Sequence, residues 1–339
     1  MNSRERVLRT IEHRMEGGRI PFTVSAHTTL ATYGEPLLRM IHDVGCDFYD
    51  VKGLKIPDAA GMNKTTDVDM WGCRWNYALP GKVGVVSFSP LEEWDNFTTY
   101  KIPVVPKVGA KEIVDAEKIR EEYPVWGGVE QFFQIMQNLR GIENIMTDFH
   151  TQPEEVLKLI DRILTEYHLP AIEEQLKMKP DIIGLGDDWG TQTALLIRPD
   201  VWRQFMKPAY KKMIDLCHQG GAKTWFHSCG HTRAILPDWI ELGMDVINPQ
   251  ICCMDVTEYG ETARGKITIL PDLDRQHVLV KGTPLDVRNH IRNVYGKLGN
   301  SKGGLIGTAP LEPEMPLENL KAMLETVSSY QRGNSQQMG

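Results

Sequence analysis

The sequence of 339 residues predicts an α/β protein built as a (β/α)8 (TIM) barrel. Short apolar runs alternate with longer stretches of helical periodicity through most of the chain, which indicates a parallel sheet surrounded by helices. The apolar runs number about eight, and this number favours a closed barrel over an open sheet. Gly-x-Gly-x-x-Gly does not follow the first strand, and no Gly-x-x-x-x-Gly-Lys is completed by Ser or Thr, so nucleotide-binding α/β folds lose their main support. We expect a single barrel domain over residues 1–339.

The amino-terminal part predicts a helix, then two strands with a second helix between them. Ser3 can cap the first helix, and apolar residues recur after it at helical spacing, so this helix should cover residues 4–14. The following elements are a strand at 19–25, a helix at 36–44 and a strand at 47–51.

Residues 66–89 interrupt this order. Apolar and polar residues alternate around Val68 and Met70, and the sequence Leu79-Pro-Gly-Lys is typical of a tight turn. We therefore expect a β-hairpin inserted into the amino-terminal part of the barrel, followed by a proline-rich connection at residues 102–107.

The remainder of the chain alternates strand and helix without a break. The expected strands are 125–129, 181–185, 224–227, 245–248, 267–270 and 304–306. The expected helices are 154–176, 199–218, 232–242, 284–298 and 316–330. Pro208 lies inside the second of these helices and should kink or split it, because proline lacks the backbone N–H that a helix needs.

The composition excludes several classes of protein. Hydrophobic residues make up 41% and charged residues 24%, which are ordinary values for a folded soluble protein. A net charge of −7 without a basic run argues against nucleic acid and anionic membrane surfaces as partners. Six cysteines are too few for a disulfide scaffold, and the sequence shows neither a signal-type segment nor a run of about 18 apolar residues. We expect a cytoplasmic globular protein, with a homodimer left open.

Polar residues follow four consecutive strands at their carboxyl ends, where the active sites of (β/α)8 barrels lie. The segments are Gly186–Gln192, His227–His231, Asn248–Gln250 and Pro271–Gln276. Each segment alone could simply cap the next helix. Because all four strand ends carry such residues, we expect a polar site at one mouth of the barrel. Asp187 is expected to point into this mouth and to transfer a proton. The residues expected to bind substrate are Asp188, Trp189, Asn248, Gln250 and Asp272.

His227 and Cys229 are the sharpest candidates for metal ligands. Imidazole and thiolate commonly bind zinc, and a catalytic zinc uses three protein ligands and one open position. Side chains two residues apart at a strand end point to the same side. The alternative is a hydrogen-bonded histidine beside a small buried thiol, because His-x-Cys also occurs by chance.

Two tryptophans adjoin strand ends and could face an aromatic substrate. Trp126 and Trp189 would suit the wall of an aryl-binding pocket. Core packing is the alternative for both, and for Trp126 it is the preferred interpretation.

The sequence resembles the uroporphyrinogen decarboxylase superfamily over nearly its whole length. The motifs that carry the resemblance are Ser3-Arg-Glu-Arg-Val-Leu, Arg19-Ile-Pro-Phe, Leu139-Arg-Gly-Ile-Glu, Gly186-Asp-Asp-Trp-Gly-Thr-Gln, Phe226-His-Ser-Cys-Gly-His, Asn248-Pro-Gln, Asp272-Leu-Asp-Arg-Gln, Gly282-Thr-Pro and Pro316-Leu-Glu-Asn-Leu. The resemblance implies the same barrel fold.

The superfamily contains decarboxylases and corrinoid-dependent methyltransferases, and this sequence resembles the methyltransferases. The decarboxylases carry an arginine-rich motif that grips porphyrinogen carboxylates, whereas the matching stretch here, Phe22–Thr29, has no arginine. The methyltransferases move methyl groups between a corrinoid protein and a thiol, methylamine, methanol or aryl methyl ether. The corrinoid-binding pattern Asp-x-His-x-x-Gly does not occur in the sequence, so the corrinoid (cobalamin) is expected on a separate partner protein.

The resemblance also implies a zinc site. Members that activate a thiol bind zinc through His-x-Cys and a later cysteine, and His227 and Cys229 match the first two positions. The third position aligns with Ala309, so Glu312 is the expected replacement, with Asp187 as another.

The leading functional hypothesis is a methyltransferase that moves a methyl group from a small donor, an aryl methyl ether, to the cobalt of a corrinoid protein. Asp187 and His227 would carry the catalysis. One alternative is transfer from a methylated corrinoid to a thiol that zinc activates. Further alternatives are a decarboxylase and a non-catalytic ligand-binding barrel. The polar mouth argues against a non-catalytic barrel, because unpaired buried polar groups are costly.

Overall fold

The computed structural model describes residues 1–57, 66–77 and 84–331. The strands are β1 Phe22–Ser25, β2 Thr66–Val68, β3 Arg74–Asn76, β4 Val85–Phe88, β5 Trp126–Gly128, β6 Ile182–Gly186, β7 Lys223–Ser228, β8 Val246–Pro249, β9 Thr268–Ile269 and β10 Gly307–Pro310. The helices are α1 Ser3–Ile11, α2 His27–Val44, α3 Ala110–Ile119, α4 Phe132–Arg140, α5 Ile142–Thr151, α6 Pro153–Ile163, α7 Leu169–Leu176, α8 Pro199–Phe205, α9 Lys207–Gln219, α10 Leu236–Leu242, α11 Val256–Ala263, α12 Val278–Lys281, α13 Pro284–Leu298 and α14 Leu317–Ser329.

Parallel strands form the wall of the barrel. Strands β5 to β9 pair in that order, and β1 pairs with β10. The two groups meet at Ile269, whose N–H donates to the Gly304 carbonyl and whose carbonyl accepts from the Ile306 N–H, directly before β10. Helices in the connections between parallel strands lie on the outside of such a wall. The predicted α/β barrel is therefore confirmed.

The position between β1 and β5 is occupied by an irregular segment around Asp47. The Asp47 N–H donates to the Phe22 carbonyl at 3.1 Å, and the chain then forms the 3-10 helix Tyr49–Gly53. The strand predicted at 47–51 is therefore wrong. The cause is the buried Asp47 carboxylate, which accepts hydrogen bonds from the Phe22 N–H and from two arginines near the amino terminus. Side-chain bonds here replace the regular pairing of a strand.

The two ends of the barrel differ in polarity. Helix α1 covers the end where the strands begin, and its apolar face packs into the lumen. The buried apolar residues of this end are Val7, Ile11, Phe48, Ile182, Val246, Leu270 and Ile306. Because this end is closed by apolar packing, only the carboxyl ends of the strands can form an open polar site.

The segment predicted as a hairpin insertion contains three antiparallel strands, in the order β2–β3–β4. Trp71 and Cys73, between β2 and β3, are buried and belong to the main hydrophobic core. The insertion is thus anchored to the barrel rather than projecting freely. The predicted turn at residues 79–82 lies outside the described residues.

Two long helices are each divided. The helix predicted at 154–176 consists of α6 and α7 joined by a π-helical turn, Leu164–His168. The helix predicted at 199–218 separates into α8 and α9 at Met206, two residues before Pro208, so the expected split is confirmed.

Two other elements are placed differently from the prediction. The helix expected at 36–44 begins earlier, at His27, and bends at Gly34, whose φ is +58°. The last strand follows residues 304–306 instead of covering them. None of the described helices combines the length and apolar character that a membrane crossing needs.

Candidate active site

Three side chains with ligand-type atoms meet at the carboxyl ends of β6 and β7. Cys229 Sγ lies 3.3 Å from His227 Nε2, and an Asp188 carboxylate oxygen lies 3.7 Å from the same nitrogen. One ligand atom from each residue lies within 4.8 Å of the other two, so this group could hold one metal ion. We call Asp188, His227 and Cys229 the ligand cluster.

Asn248 fixes the orientation and the tautomer of His227. The Asn248 amide nitrogen donates to the Leu270 carbonyl at 2.6 Å, so the amide oxygen faces His227 Nδ1 at 2.8 Å. Because an amide oxygen only accepts hydrogen bonds, His227 Nδ1 carries the ring proton and Nε2 keeps its lone pair towards Cys229. Metal-binding histidines are commonly held in this way.

Asp188 faces the mouth and joins two of the loops. Its carboxylate accepts a hydrogen bond from the Cys229 N–H at 2.9 Å, and its side chain is 42% exposed. Burial raises the pKa of the Cys229 thiol to about 12, and the negative charge of Asp188 adds to this increase. The positive charge of Arg275 opposes this increase only in part, so the thiol keeps its proton when no metal ion is bound.

Asp187 points away from the mouth, so the expectation for this residue is wrong. It is fully buried, and its carboxylate accepts hydrogen bonds from the Gln134 N–H at 2.9 Å and the Tyr210 hydroxyl at 2.6 Å. Burial raises the pKa of Asp187 to about 7, although the hydrogen bonds oppose this shift. Side chains alternate along a strand, so Asp187 faces the helices when Asp188 faces the lumen.

Trp189 belongs to the core and does not form part of a substrate-binding wall. Its ring is fully buried and stacks on Phe133 with centroids 4.0 Å apart. Its Nε1–H donates to the Tyr210 hydroxyl at 2.9 Å. Asp187, Trp189 and Tyr210 thus form one buried hydrogen-bonded group behind β6.

The rings that do line the lumen are Trp225 and Trp126. Trp225 lies two residues before His227 on β7, and the two rings are nearly parallel with centroids 6.1 Å apart. Trp126 packs edge-on against Trp225 at 5.3 Å and remains 38% exposed. Gly184 leaves space for Trp126, because a Cβ there would lie 3.1 Å from its ring. Trp126 thus packs against its neighbours, as the sequence favoured, while part of its surface stays exposed.

Two glycines allow the loops that carry Asp188 and Cys229 to touch. The Gly190 N–H donates to the Cys229 carbonyl at 3.0 Å. Gly230 has a φ of +74°, and a Cβ on it would lie 2.1 Å from the Gly190 carbonyl oxygen. Gln250, which was expected to bind substrate, instead accepts a hydrogen bond from the Gly230 N–H at 2.8 Å. It therefore supports the loop.

An arginine bridges two acidic residues beside the cluster. Arg275 lies 2.8 Å from the Asp272 carboxylate and 3.0 Å from that of Glu312. Burial raises the pKa of Asp272, while Arg275 opposes this effect. Glu312 is thus paired with a cation and lies outside the ligand cluster, so its expected role as metal ligand is incorrect. Ala309, aligned with the missing cysteine, is buried in β10.

Some residues of the site were not singled out from the sequence. Arg275 lies in one of the predicted polar segments, and its positive charge between acidic residues was the available signal. Tyr210 lies within α9, and no local sequence pattern marks it, because only the fold brings it close to Asp187. Trp225 could have been found by alternation, since it lies two residues before His227 on the same strand.

The comparisons with known proteins agree with this architecture. The family profile described as "Uroporphyrinogen decarboxylase (URO-D)" matches residues 71–330. The methylcobamide:CoM methyltransferase MtbA of Methanosarcina mazei is 24% identical over 279 residues, which cover 78% of this chain and 77% of that protein. MtbA of Methanosarcina acetivorans is 24% identical over 220 residues, which cover 63% of this chain and 61% of that protein.

A solved structure shows the same fold. The structure of a methyltransferase from Methanosarcina mazei superposes with a TM-score of 0.64 at 16% sequence identity, covering 96% of this chain and 98% of that one. The superfamily resemblance predicted from the motifs is thereby confirmed. With a family match over most of its length and the shared barrel, the chain belongs to the uroporphyrinogen decarboxylase (URO-D) family.

Proposed function

We propose that this protein is a corrinoid-dependent methyltransferase that transfers a methyl group from an aryl methyl ether to the cobalt of a corrinoid carried by a separate protein. The observation that carries the proposal is the ligand cluster at the mouth, directly above a lumen walled by Trp126 and Trp225. The methyltransferase class is also supported by the two relatives, which are methylcobamide:CoM methyltransferases.

The ligand cluster fits a zinc ion. Imidazole nitrogen, thiolate sulfur and carboxylate oxygen are all zinc ligands, and three protein ligands leave one position for substrate. The hydrogen bond from His227 Nδ1 to Asn248 leaves Nε2 free to bind the ion. When bound, zinc would act as a Lewis acid on the ether oxygen, which is otherwise attached to a poor leaving group.

The protein's own residues supply orientation and a suitable environment. The indole rings of Trp126 and Trp225 would give an aryl group apolar faces to pack on. The Arg275 guanidinium lies beside the cluster and would stabilise negative charge that develops on the departing oxygen. The nucleophile, reduced cobalt, comes with the partner corrinoid.

The ligand types favour an ether over a thiol as the substrate. A site that activates a thiol benefits from several thiolates, because they donate electron density to the metal. In the ligand cluster a carboxylate, Asp188, accompanies the single thiolate of Cys229. Such a harder set of ligands suits an oxygen substrate better.

Transfer from a methylated corrinoid to a thiol is the second candidate. It is favoured by the names of the two MtbA relatives, which are methylcobamide:CoM methyltransferases.

The test is an anaerobic assay with the full chain, reduced cobalamin and a panel of methoxylated aromatics, followed by the cobalt absorbance. We expect methylated cobalamin and the free phenol to form together. Cys229→Ser should lower the rate by about 10²-fold or more, whereas Cys253→Ser, in a nearby mouth loop, should retain it. Methyl transfer from methylated cobalamin to thiols, with no reaction of any ether, would support the second candidate. Failure of both reactions would contradict the proposal.

A further inference from the structure

A second cavity lies between the antiparallel insertion sheet and α4. It has a volume of about 510 Å³. Three aromatic residues contribute to its wall, Trp71, Trp75 and Tyr77. Its acidic residues are Asp67, Asp69 and Glu130. No Lys, Arg or His is found among the described residues that line it. The described wall of the cavity therefore combines aromatic rings with carboxylates.

Hydrogen bonds tie the rings to the carboxylates. The Trp71 Nε1–H donates to Glu130 at 3.0 Å, and the Trp75 Nε1–H donates to Asp69 at 2.7 Å. Asp69 also accepts hydrogen bonds from the backbone N–H groups of Trp71 and Cys73, both at 2.9 Å. Each indole thus has its polar edge on a carboxylate, which holds the ring in a defined orientation.

We propose that this cavity binds an organic cation of the methylated-ammonium class. Aromatic rings attract cations through their negative faces, and this attraction is strongest for Trp. The carboxylates of Asp69 and Glu130 add a favourable charge. Among the described residues, indole and backbone N–H groups donate hydrogen bonds to these carboxylates.

The number of free acceptor sites on Asp69 determines which kind of cation suits the cavity. Its carboxylate already accepts hydrogen bonds from three N–H groups. It can therefore attract a cation by its charge, but it has few acceptor sites left for further N–H donors. A primary ammonium or a guanidinium needs several acceptors to replace its water shell. A quaternary ammonium donates no hydrogen bond, and its methyl groups pack on ring faces. The cavity therefore suits a fully methylated nitrogen better than a Lys or Arg side chain.

The cavity adjoins the mouth of the barrel without including the ligand cluster. Gln131 lines it, and the Gln131 amide nitrogen lies 3.6 Å from where a Cβ on Gly186, at the end of β6, would be. Gln134 also lines it and donates its N–H to Asp187. Binding of a cation in this cavity requires no methyl transfer, so it is independent of the reaction proposed above.

The test is a titration of the full chain with choline and with its neutral isostere 3,3-dimethylbutan-1-ol, monitored by tryptophan fluorescence and by calorimetry. Choline should bind saturably and at least about tenfold more tightly than the isostere, since only choline gains cation–π and charge attraction. Equal binding of both would mean a merely apolar cavity and would overturn the proposal, as would no binding. Tighter binding of butylammonium or methylguanidinium than of choline would show that the cavity prefers cations with N–H donors. This result would overturn the assignment to methylated ammonium ions.

Two variants test whether choline binds in this cavity. Glu130→Gln keeps an acceptor for the Trp71 indole but removes one charge, and it should weaken choline binding by about threefold to tenfold. Trp75→Leu removes one ring and should weaken it further. Glu143→Gln, on the exposed surface of α5, is the matched control and should bind choline like the unmodified protein. Unchanged binding in Glu130→Gln and Trp75→Leu, both shown to be folded by circular dichroism, would place the ligand elsewhere and overturn the proposal.

Discussion

At the scale of single residues, the properties of the site depend on which nitrogen of His227 is free. Asn248 settles this because its own orientation is fixed by the Leu270 carbonyl. We expect Asn248→Ala to lower metal affinity by about 10–100-fold, since the ring would lose both its orientation and its tautomer. Chelator competition measures this effect. Asn144→Ala, on α5 outside the barrel, is the control; an equal loss in both variants would contradict a specific role for Asn248.

Two adjacent aspartates are expected to behave differently. Asp188 belongs to the ligand cluster, so Asp188→Asn should lower methyl transfer by about 10²-fold or more. Asp187 is buried among Gln134 and Tyr210, so Asp187→Asn should mainly cost stability, about 1–3 kcal/mol. Rates and urea unfolding of both variants measure this difference. The opposite result, with activity lost only in Asp187→Asn, would return the catalytic role to Asp187.

The choice between these aspartates shows what the sequence could and could not provide. The residue types and the loop were predictable, because polar residues followed the strand at 181–185. Which of the two faces the lumen depends on the alternation that begins at Ile182, in the barrel interior. That starting point is fixed by packing against α1, which is a tertiary contact. A similar limit applies to Glu312, whose partner Arg275 is distant in sequence.

At the scale of elements, the contact between two loops holds the ligand cluster together. Gly230→Ala would place a Cβ 2.1 Å from the Gly190 carbonyl oxygen and would strain a backbone with a φ of +74°. We expect a loss of about 2–4 kcal/mol in the free energy of unfolding together with weaker metal binding. Denaturant unfolding and elemental analysis measure both effects. Gly221 also has a positive φ, but a Cβ on it would have no neighbour within 4 Å. Gly221→Ala therefore measures the cost of backbone strain without a clash. If both variants lose the same stability and bind metal alike, the loop contact is unimportant.

Local periodicity predicted most helices and parallel strands, since apolar runs and helical spacing follow directly from burial. The prediction of a strand at 47–51 failed because hydrogen bonds between the Asp47 side chain and arginines distant in sequence replace the pairing of a strand. These partners lie at the amino terminus and could not be inferred from the local pattern.

At the scale of the whole molecule, one buried histidine makes stability depend on pH. His168 is fully buried, and burial lowers its pKa to about 4. In the unfolded chain this residue takes up a proton near pH 6.5, whereas the folded protein resists protonation until about pH 4. The contribution of His168 to the free energy of unfolding is therefore fully present above pH 6.5 and is lost as the pH falls towards 4.

We expect the pH dependence to decrease in His168→Gln. Between pH 6.5 and 4, the unfolding free energy of the unmodified protein should fall by on the order of 3 kcal/mol more than that of the variant. Urea unfolding across this range measures the difference. His150→Gln changes an exposed histidine and should keep the full pH dependence. Parallel curves for His168→Gln and the unmodified protein would contradict the assignment.

The corrinoid partner should approach from the loop side of the barrel. A corrinoid is wider than the lumen of an eight-stranded barrel, so it must lie across the loops. The insertion contributes exposed apolar residues near this side, including Val68 and Val85. Val68→Asp with Val85→Asp should raise the KM for the corrinoid protein about tenfold or more while leaving that for free cobalamin unchanged. An equal change for both acceptors would mean that the insertion shapes the substrate site instead.

The proposed function requires Asp188, His227 and Cys229 to bind one zinc ion together. X-ray absorption spectroscopy at the zinc edge of the purified protein shows whether they do. The ligand cluster predicts one sulfur at about 2.3 Å and two or three nitrogen or oxygen neighbours at about 2.0–2.2 Å, with the sulfur lost in Cys229→Ser. Two or more sulfur neighbours, a sulfur signal that persists in Cys229→Ser, or an active protein that binds no zinc would contradict it.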